Sequence, residues 1–86
     1  GEYMVDGTAS IDKFFEFFDI RPKKELDIAT VNGWVMINID KIPEVGDSFD
    51  YGDMHCAVVS VDGKRADKIK ITVQKNNDEE DSEQNV

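Results

Sequence analysis

The sequence predicts an α+β domain, a small antiparallel β-meander sheet packed with two helices. Three observations carry that expectation. Gly46-Asp47, Gly52-Asp53 and Asp62-Gly63 punctuate the stretch from Ile42 to Gly63 at hairpin intervals, and Gly-X or Asp-Gly loops supply the positive φ that two-residue turns need. Ile11, Phe14, Phe15 and Phe18 fall at i, i+3, i+4 and i+7, the spacing of one apolar helix stripe. A chain of 86 residues that is 40% hydrophobic has material for a single modest core.

Glu2-Tyr3-Met4-Val5 alternates polar and apolar before Asp6-Gly7, so it reads as a short strand closed by a turn. Ser10 is placed to cap the first helix, with Asp12 in the first turn, where the helix dipole favours an anion. Phe17 is expected to widen the apolar stripe towards Phe14. The helical spacing of the phenylalanines between residues 14 and 18 reads as core packing rather than as a ligand-stacking box. Pro22 pushes Arg21 out of helical geometry and marks a connector. Its Arg21, Lys23 and Lys24 are diluted by Glu25 and Asp27, so a solvated loop is expected there.

From Asp27 to Lys41 the residues support two readings. Val31, Trp34, Val35, Ile37 and Ile39 are β-branched or aromatic, and Asn32-Gly33 is a hairpin signal. Against that, Thr30 can cap a helix whose face carries Val31, Trp34, Val35 and Asn38, with Pro43 as its stop. Gly33 and Asn38 would cost such a helix about 0.5–1 kcal/mol each. After Pro43 the meander begins, with Phe49 and Tyr51 on one face of a half-buried strand and Ser48 and Asp50 on the other. Met54, Cys56 and Val58 alternate, but Val59 and Val61 continue in the opposite phase, which predicts a β-bulge near Val58-Val59. The last strand, Arg65 to Val73, turns Ile69, Ile71 and Val73 inward and Lys68, Lys70 and Thr72 outward. The domain is thus expected over residues 1–74, followed by an acidic disordered tail over 75–86 whose composition cannot offset its ordering entropy. No internal repeat is present.

Charge restricts the partners. The net charge is −9, and residues 1–74 hold fourteen acids against nine bases, a net of −5. Such a body repels phosphate backbones and polyanionic membrane surfaces, so no nucleic acid is expected as partner. No apolar run reaches membrane-span length and no leader is visible, so no direct membrane insertion by this domain is expected. The size suits a module of a longer protein.

Reactive groups do not assemble into a site. Cys56 is the one cysteine and reads as a small core residue in a reducing compartment. His55 is the one histidine; Asp53 is near, but Cys56 points to the other strand face, and Asp47, Asp50 and Asp53 lack EF-hand spacing. Ser10, Ser48 and Ser60 read as cap, turn and strand residues, with no Gly-x-Ser-x-Gly elbow and no phosphate-cradling glycine loop. No catalytic residue, metal site or required cofactor is therefore expected, and the domain is read as no enzyme. Lys64, Arg65, Lys68 and Lys70 form the one basic row. It is a candidate docking face for an acidic partner or anionic nucleotide, or else the solvated lysines of an edge strand.

The run Ile42-Pro43-Glu44-Val45-Gly46-Asp47, followed by Tyr51-Gly52 and Val61-Asp62-Gly63, resembles the transporter-associated domain of the CorC/HlyC family, once called hemolysin-like proteins. Met4-Val5-Asp6-Gly7 and Ser10-Ile11-Asp12 match that family's opening strand, turn and helix start, so the resemblance covers residues 3 to about 73. It implies a helix, not a hairpin, from Thr30 towards Pro43. It also implies a C-terminal accessory or regulatory domain of a bacterial membrane ion transporter associated with magnesium and cobalt efflux. Its implied place is the cytoplasmic side of the cell membrane, with the CBS modules and membrane domain of the parent chain, or a second copy, as partners. The family's fold is similar to an FAD-binding subdomain of flavin enzymes, which implies flavin adenine dinucleotide as an associated ligand. The alternative function is therefore sensing of a nucleotide, flavin adenine dinucleotide or a divalent cation.

Overall fold

A computed structural model describes residues 1–22 and 25–74. The expected connector cations Lys23 and Lys24 and the acidic tail over 75–86 lie outside the described residues. The elements follow as β1 (Glu2–Asp6), α1 (Ile11–Phe17), α2 (Val31–Ile39), β2 (Ser48–Tyr51), β3 (Met54–Asp62) and β4 (Arg65–Val73). The strands make one antiparallel sheet in the order β1-β4-β3-β2, the expected α+β meander with its first strand added beside its last.

Both hairpins use a Gly-X loop. Tyr51 pairs with Met54 across Gly52-Asp53, and Asp62 pairs with Arg65 across Gly63-Lys64. Gly52 and Gly63 take φ of 58° and 65°, a region costly for residues with a Cβ. The second turn is therefore Gly63-Lys64 and not the expected Asp62-Gly63; Asp62 is the last paired residue of its strand. The bulge predicted near Val58-Val59 is present: Val58 faces Ile69 and Ser60 faces Lys68, leaving Val59 over. A second irregularity follows at once, since Ser60 faces Lys68 while Val61 faces Ala66, leaving Asp67 over on β4. The two shifts cancel, and Ser60 Oγ donates to Asp67 Oδ2 at 3.2 Å between them.

The stretch whose residues alone allowed a hairpin is helical. Thr30 Oγ1 accepts from Gly33 N at 3.3 Å, and Asp40 ends α2 in the left-handed region. Tertiary burial decides against local β-propensity here: Val31, Trp34 and Val35 are all buried. Asn38, expected on that face, is exposed and donates back to the Trp34 carbonyl at 2.8 Å. The two helix caps are themselves paired, Ser10 bridging Thr30, with Ile11 N donating to Ala29 O and Val31 N to Ala9 O, each at 3.0 Å. Ser10 also accepts from Lys13 N at 3.4 Å, the predicted cap.

A backbone knot fastens this helix layer to the sheet. Gly7 N donates to Asp67 O at 2.7 Å, Asn32 N donates to Gly7 O at 2.9 Å, and Ala66 N donates to Asn32 Oδ1 at 2.8 Å. A Cβ on Gly7 would lie 1.9 Å from the Ala66 carbonyl oxygen. Only glycine fits so close an approach.

Trp34, 1% exposed, centres the core. Its ring stands 5.0 and 5.9 Å from Phe14 and Phe15 of α1 and 5.2 Å from both Phe49 and Tyr51 of β2, distances at which aromatic pairs attract beyond their burial. Cys56, Val58, Ile69 and Ile71 supply the sheet side. Phe17 departs from expectation: it is 67% exposed and does not join the core.

Candidate functional site

Phe17 leaves the core for a surface. At about 100° per residue it projects roughly 100° away from the centre of the Ile11-Phe14-Phe15-Phe18 stripe. There it meets Tyr3 of β1, the two rings edge-on with centroids 5.5 Å apart, and Phe18 stands 5.1 Å from Tyr3 and 4.9 Å from Phe17. Tyr3 is 41% and Met4 59% exposed. These side chains, with Val5, Ala9, Ser10, Lys13 and Phe14, line an open groove of about 600 Å³ between β1 and α1. It runs beside β1, an edge strand. An exposed apolar cluster of this kind is a candidate contact surface. The signal in the sequence was the angular misfit of Phe17.

The basic row resolves into parts with different surroundings. Lys64 sits in the β3–β4 turn, and Arg65 opens β4 opposite Asp62, both exposed. Lys68 Nζ lies 2.7 Å from Asp6 Oδ1 and Lys70 Nζ 3.4 Å from Glu2 Oε2, so β1 carboxylates partner both. The hydrogen bond to Asp6 holds the Lys68 ammonium above its usual pKa. The strand carrying the row is interior, between β1 and β3, and is not the edge strand first expected. Its lysines therefore form cross-strand pairs, and do not guard an edge.

The Ile42–Asp47 motif makes a braced loop. Asp47 Oδ2 accepts from Glu44 N at 2.8 Å, and Lys41 Nζ reaches Asp47 at 3.1 Å and Glu44 at 3.3 Å. The Glu44 backbone donor, then the Lys41 ammonium, hold the Asp47 carboxyl below its usual range, and Lys41 is raised in return, chiefly by Asp47. Pro43 is buried beneath, while Ile42 and Val45 point outward.

His55 and Cys56 do lie on opposite faces. Cys56 is buried, and burial, with a smaller contribution from the Asp50 charge, pushes its thiol up to about 12, so it is an inert core residue. His55 Nδ1 stands 2.7 Å from Asp50 Oδ1, in a polar recess of about 320 Å³ that Asp53 and Gln74 also line. Among the described residues, no group of three or more His, Cys, Asp or Glu side chains converges to hold a metal ion. The pyrophosphate of flavin adenine dinucleotide needs a cradle of donors; among the described residues the aromatic groove offers one cation, Lys13. In a second recess, of about 450 Å³ beside Trp34 and Tyr51, the Arg21 guanidinium already sits 3.3 Å from Asp19.

A family model described as "Transporter associated domain", CorC_HlyC, matches residues 1–75. A UPF0053 protein of Synechocystis sp. is 38% identical over 74 residues, covering 83% of this chain and 16% of that protein, so the chain spans about a sixth of its relative. Among solved structures, a CorC_HlyC domain from Haemophilus ducreyi superposes with a TM-score of 0.77 at 20% identity, covering 88% of this chain and 92% of that one. A CorC_HlyC transporter-associated domain of a Xylella fastidiosa hemolysin, in complex with Mg²⁺ and Mn²⁺, gives 0.73 at 28% identity over 87% and 90%. The transporter-associated domain of a CBS domain protein from Porphyromonas gingivalis gives 0.71 at 23% identity over 87% and 91%. Among the described residues no helix is long and apolar enough to cross a membrane.

Proposed function

The chain belongs to the CorC/HlyC family of transporter-associated domains, and from that premise we propose that it is a non-catalytic regulatory domain of a membrane ion transporter. The transporter is of the hemolysin-like, magnesium and cobalt efflux type. The domain sits on the cytoplasmic side of the cell membrane, needs no cofactor, and acts by packing against the CBS modules of its parent chain. The observation that carries this reading is the exposed Tyr3–Phe17 cluster beside β1, which has the composition of an interface centre. The Porphyromonas relative, a domain of a CBS domain protein, supports the choice of partner.

Calorimetric titration of the 86-residue chain with the CBS modules of the same parent tests it. Binding is expected, and Tyr3→Ala and Phe17→Ala are each expected to weaken it about tenfold, the effect of losing about 1.4 kcal/mol at an aromatic anchor. Absence of binding, or binding indifferent to both changes, removes the proposal. The Mg²⁺ and Mn²⁺ held by the Xylella relative favour one second reading, divalent-cation sensing. In a thermal-shift screen, a cation at 100 times its dissociation constant adds about 2.7 kcal/mol; nucleotides and flavin belong in the same screen. No shift with any of them eliminates sensing.

A further inference from the structure

We propose that the open edge of β1 is a strand-addition site for an extended polypeptide with an alternating apolar centre flanked by basic residues. The proposal names what the β1–α1 surface takes, and it rests on the reading above only in treating that surface as a docking face. Its first support is the hydrogen-bond register. Val73 N donates to Gly1 O at 2.9 Å and Gly7 N to Asp67 O at 2.7 Å. Antiparallel pairs alternate, so Tyr3 and Val5 turn their amides and carbonyls to β4, while Glu2 and Met4 turn theirs to the outer side, where no strand among the described residues pairs them. The Asp6 carbonyl accepts from Ala9 N, but its amide faces out with them. A repeating row of donors and acceptors of this kind is satisfied by another strand.

Side chains specify the chemistry of that strand. On the helix side its residues would lie opposite Tyr3 and Val5, against the Phe17 ring, and must be apolar. On the other side they would lie opposite Glu2 and Asp6, whose side chains are 63% and 61% exposed. Each carboxylate is engaged by a lysine through one oxygen, leaving the second for an incoming cation. The net charge of −5 over residues 1–74 favours the same sign of partner. A second copy is a poor occupant: antiparallel self-pairing of all five β1 residues sets Glu2 against Asp6, like charges directly opposite.

The test uses the isotope-labelled 86-residue chain and three peptides. One has a Lys-Val-Thr-Val-Lys centre, one a Glu-Val-Thr-Val-Glu centre, and the third repeats the first with its threonine N-methylated. With the basic peptide at about ten times its dissociation constant, amide exchange at Met4 is expected to slow about tenfold. The acidic and N-methylated peptides are each expected to bind at least about tenfold more weakly, and Glu2→Lys to weaken the basic peptide. Unchanged exchange at Met4 overturns the proposal, as does equal binding of either control peptide. Protection that grows with chain concentration alone overturns it in favour of a second copy. Failure here leaves the calorimetric result with the CBS modules untouched, and failure there leaves this one standing.

Discussion

Replacing Gly7 with alanine probes the knot that joins both helix caps to the sheet. The added Cβ would sit 1.9 Å from the Ala66 carbonyl oxygen and 2.9 Å from its carbon, where ordinary contact begins at 3.4 Å. The backbones must therefore part by about 1.5 Å. That displacement breaks or badly stretches three hydrogen bonds: Gly7 N to Asp67 O, Asn32 N to Gly7 O, and Ala66 N to Asn32 Oδ1. At about 1 kcal/mol each, with about 1–2 kcal/mol for overpacking, the cost is about 4–5 kcal/mol. A core of this size supplies only about 3–5 kcal/mol in total. Gly7→Ala is expected to leave the chain largely unfolded at 25 °C. Urea titration followed by the fluorescence of Trp34, the single tryptophan, reads it directly. Gly63→Ala is the control: it places a side chain at positive φ with nothing within 4 Å and should cost only about 1–2 kcal/mol. A cooperative transition for Gly7→Ala within about 1 kcal/mol of the parent refutes the reasoning.

Three further outcomes follow from the same geometry. Phe14→Ala, at a cost of about 3–5 kcal/mol, should also leave the chain largely unfolded at 25 °C, while Phe17→Ala, at about 1 kcal/mol or less, should keep a cooperative urea transition. Cys56, with its thiol near 12, should resist a thiol reagent at pH 8 and react at the rate of global unfolding; immediate labelling of native chain contradicts its burial. The depressed Asp47 carboxyl contributes stability above its ordinary value of 3.8 that is lost as pH falls through its lower folded value. Melting temperatures of parent and Asp47→Asn should therefore differ at pH 7 and converge below pH 3.8, and a constant difference across that range contradicts the assignment.

Most of the fold was legible because its signals are local. The Gly52 and Gly63 turns, the Ser10 cap and the phase change at Val59 each follow from a few neighbouring residues. The Thr30 helix was legible only through family resemblance, since its β-branched residues point the other way and packing of Trp34 against both layers overrides them. Strand order was beyond local reading. The long-range pairing of β1 with β4 puts Lys68 and Lys70 on an interior strand with β1 partners, and no local pattern announces it. The second bulge at Asp67 lies within the β3–β4 hairpin, where the buried Ala66 alone carries the change of phase against Ile69 and Ile71. Tyr3 and Phe17 were overlooked as site residues because each belongs to a pattern that ordinarily builds core; the angular misfit of Phe17 was the one local hint, and the meeting of the two rings across two elements shows the cluster.

The most direct test of the regulatory reading is the accessibility of position 17 in the longer protein that the proposed function assigns to this domain. Phe17→Cys should be labelled rapidly by a thiol reagent in the isolated 86-residue chain, with Cys56 silent. In the parent protein the same position should label at least about tenfold more slowly, recovering when the CBS modules are deleted. Equal rates in the chain and in the intact parent would contradict the claim that this surface is where the domain meets its neighbours.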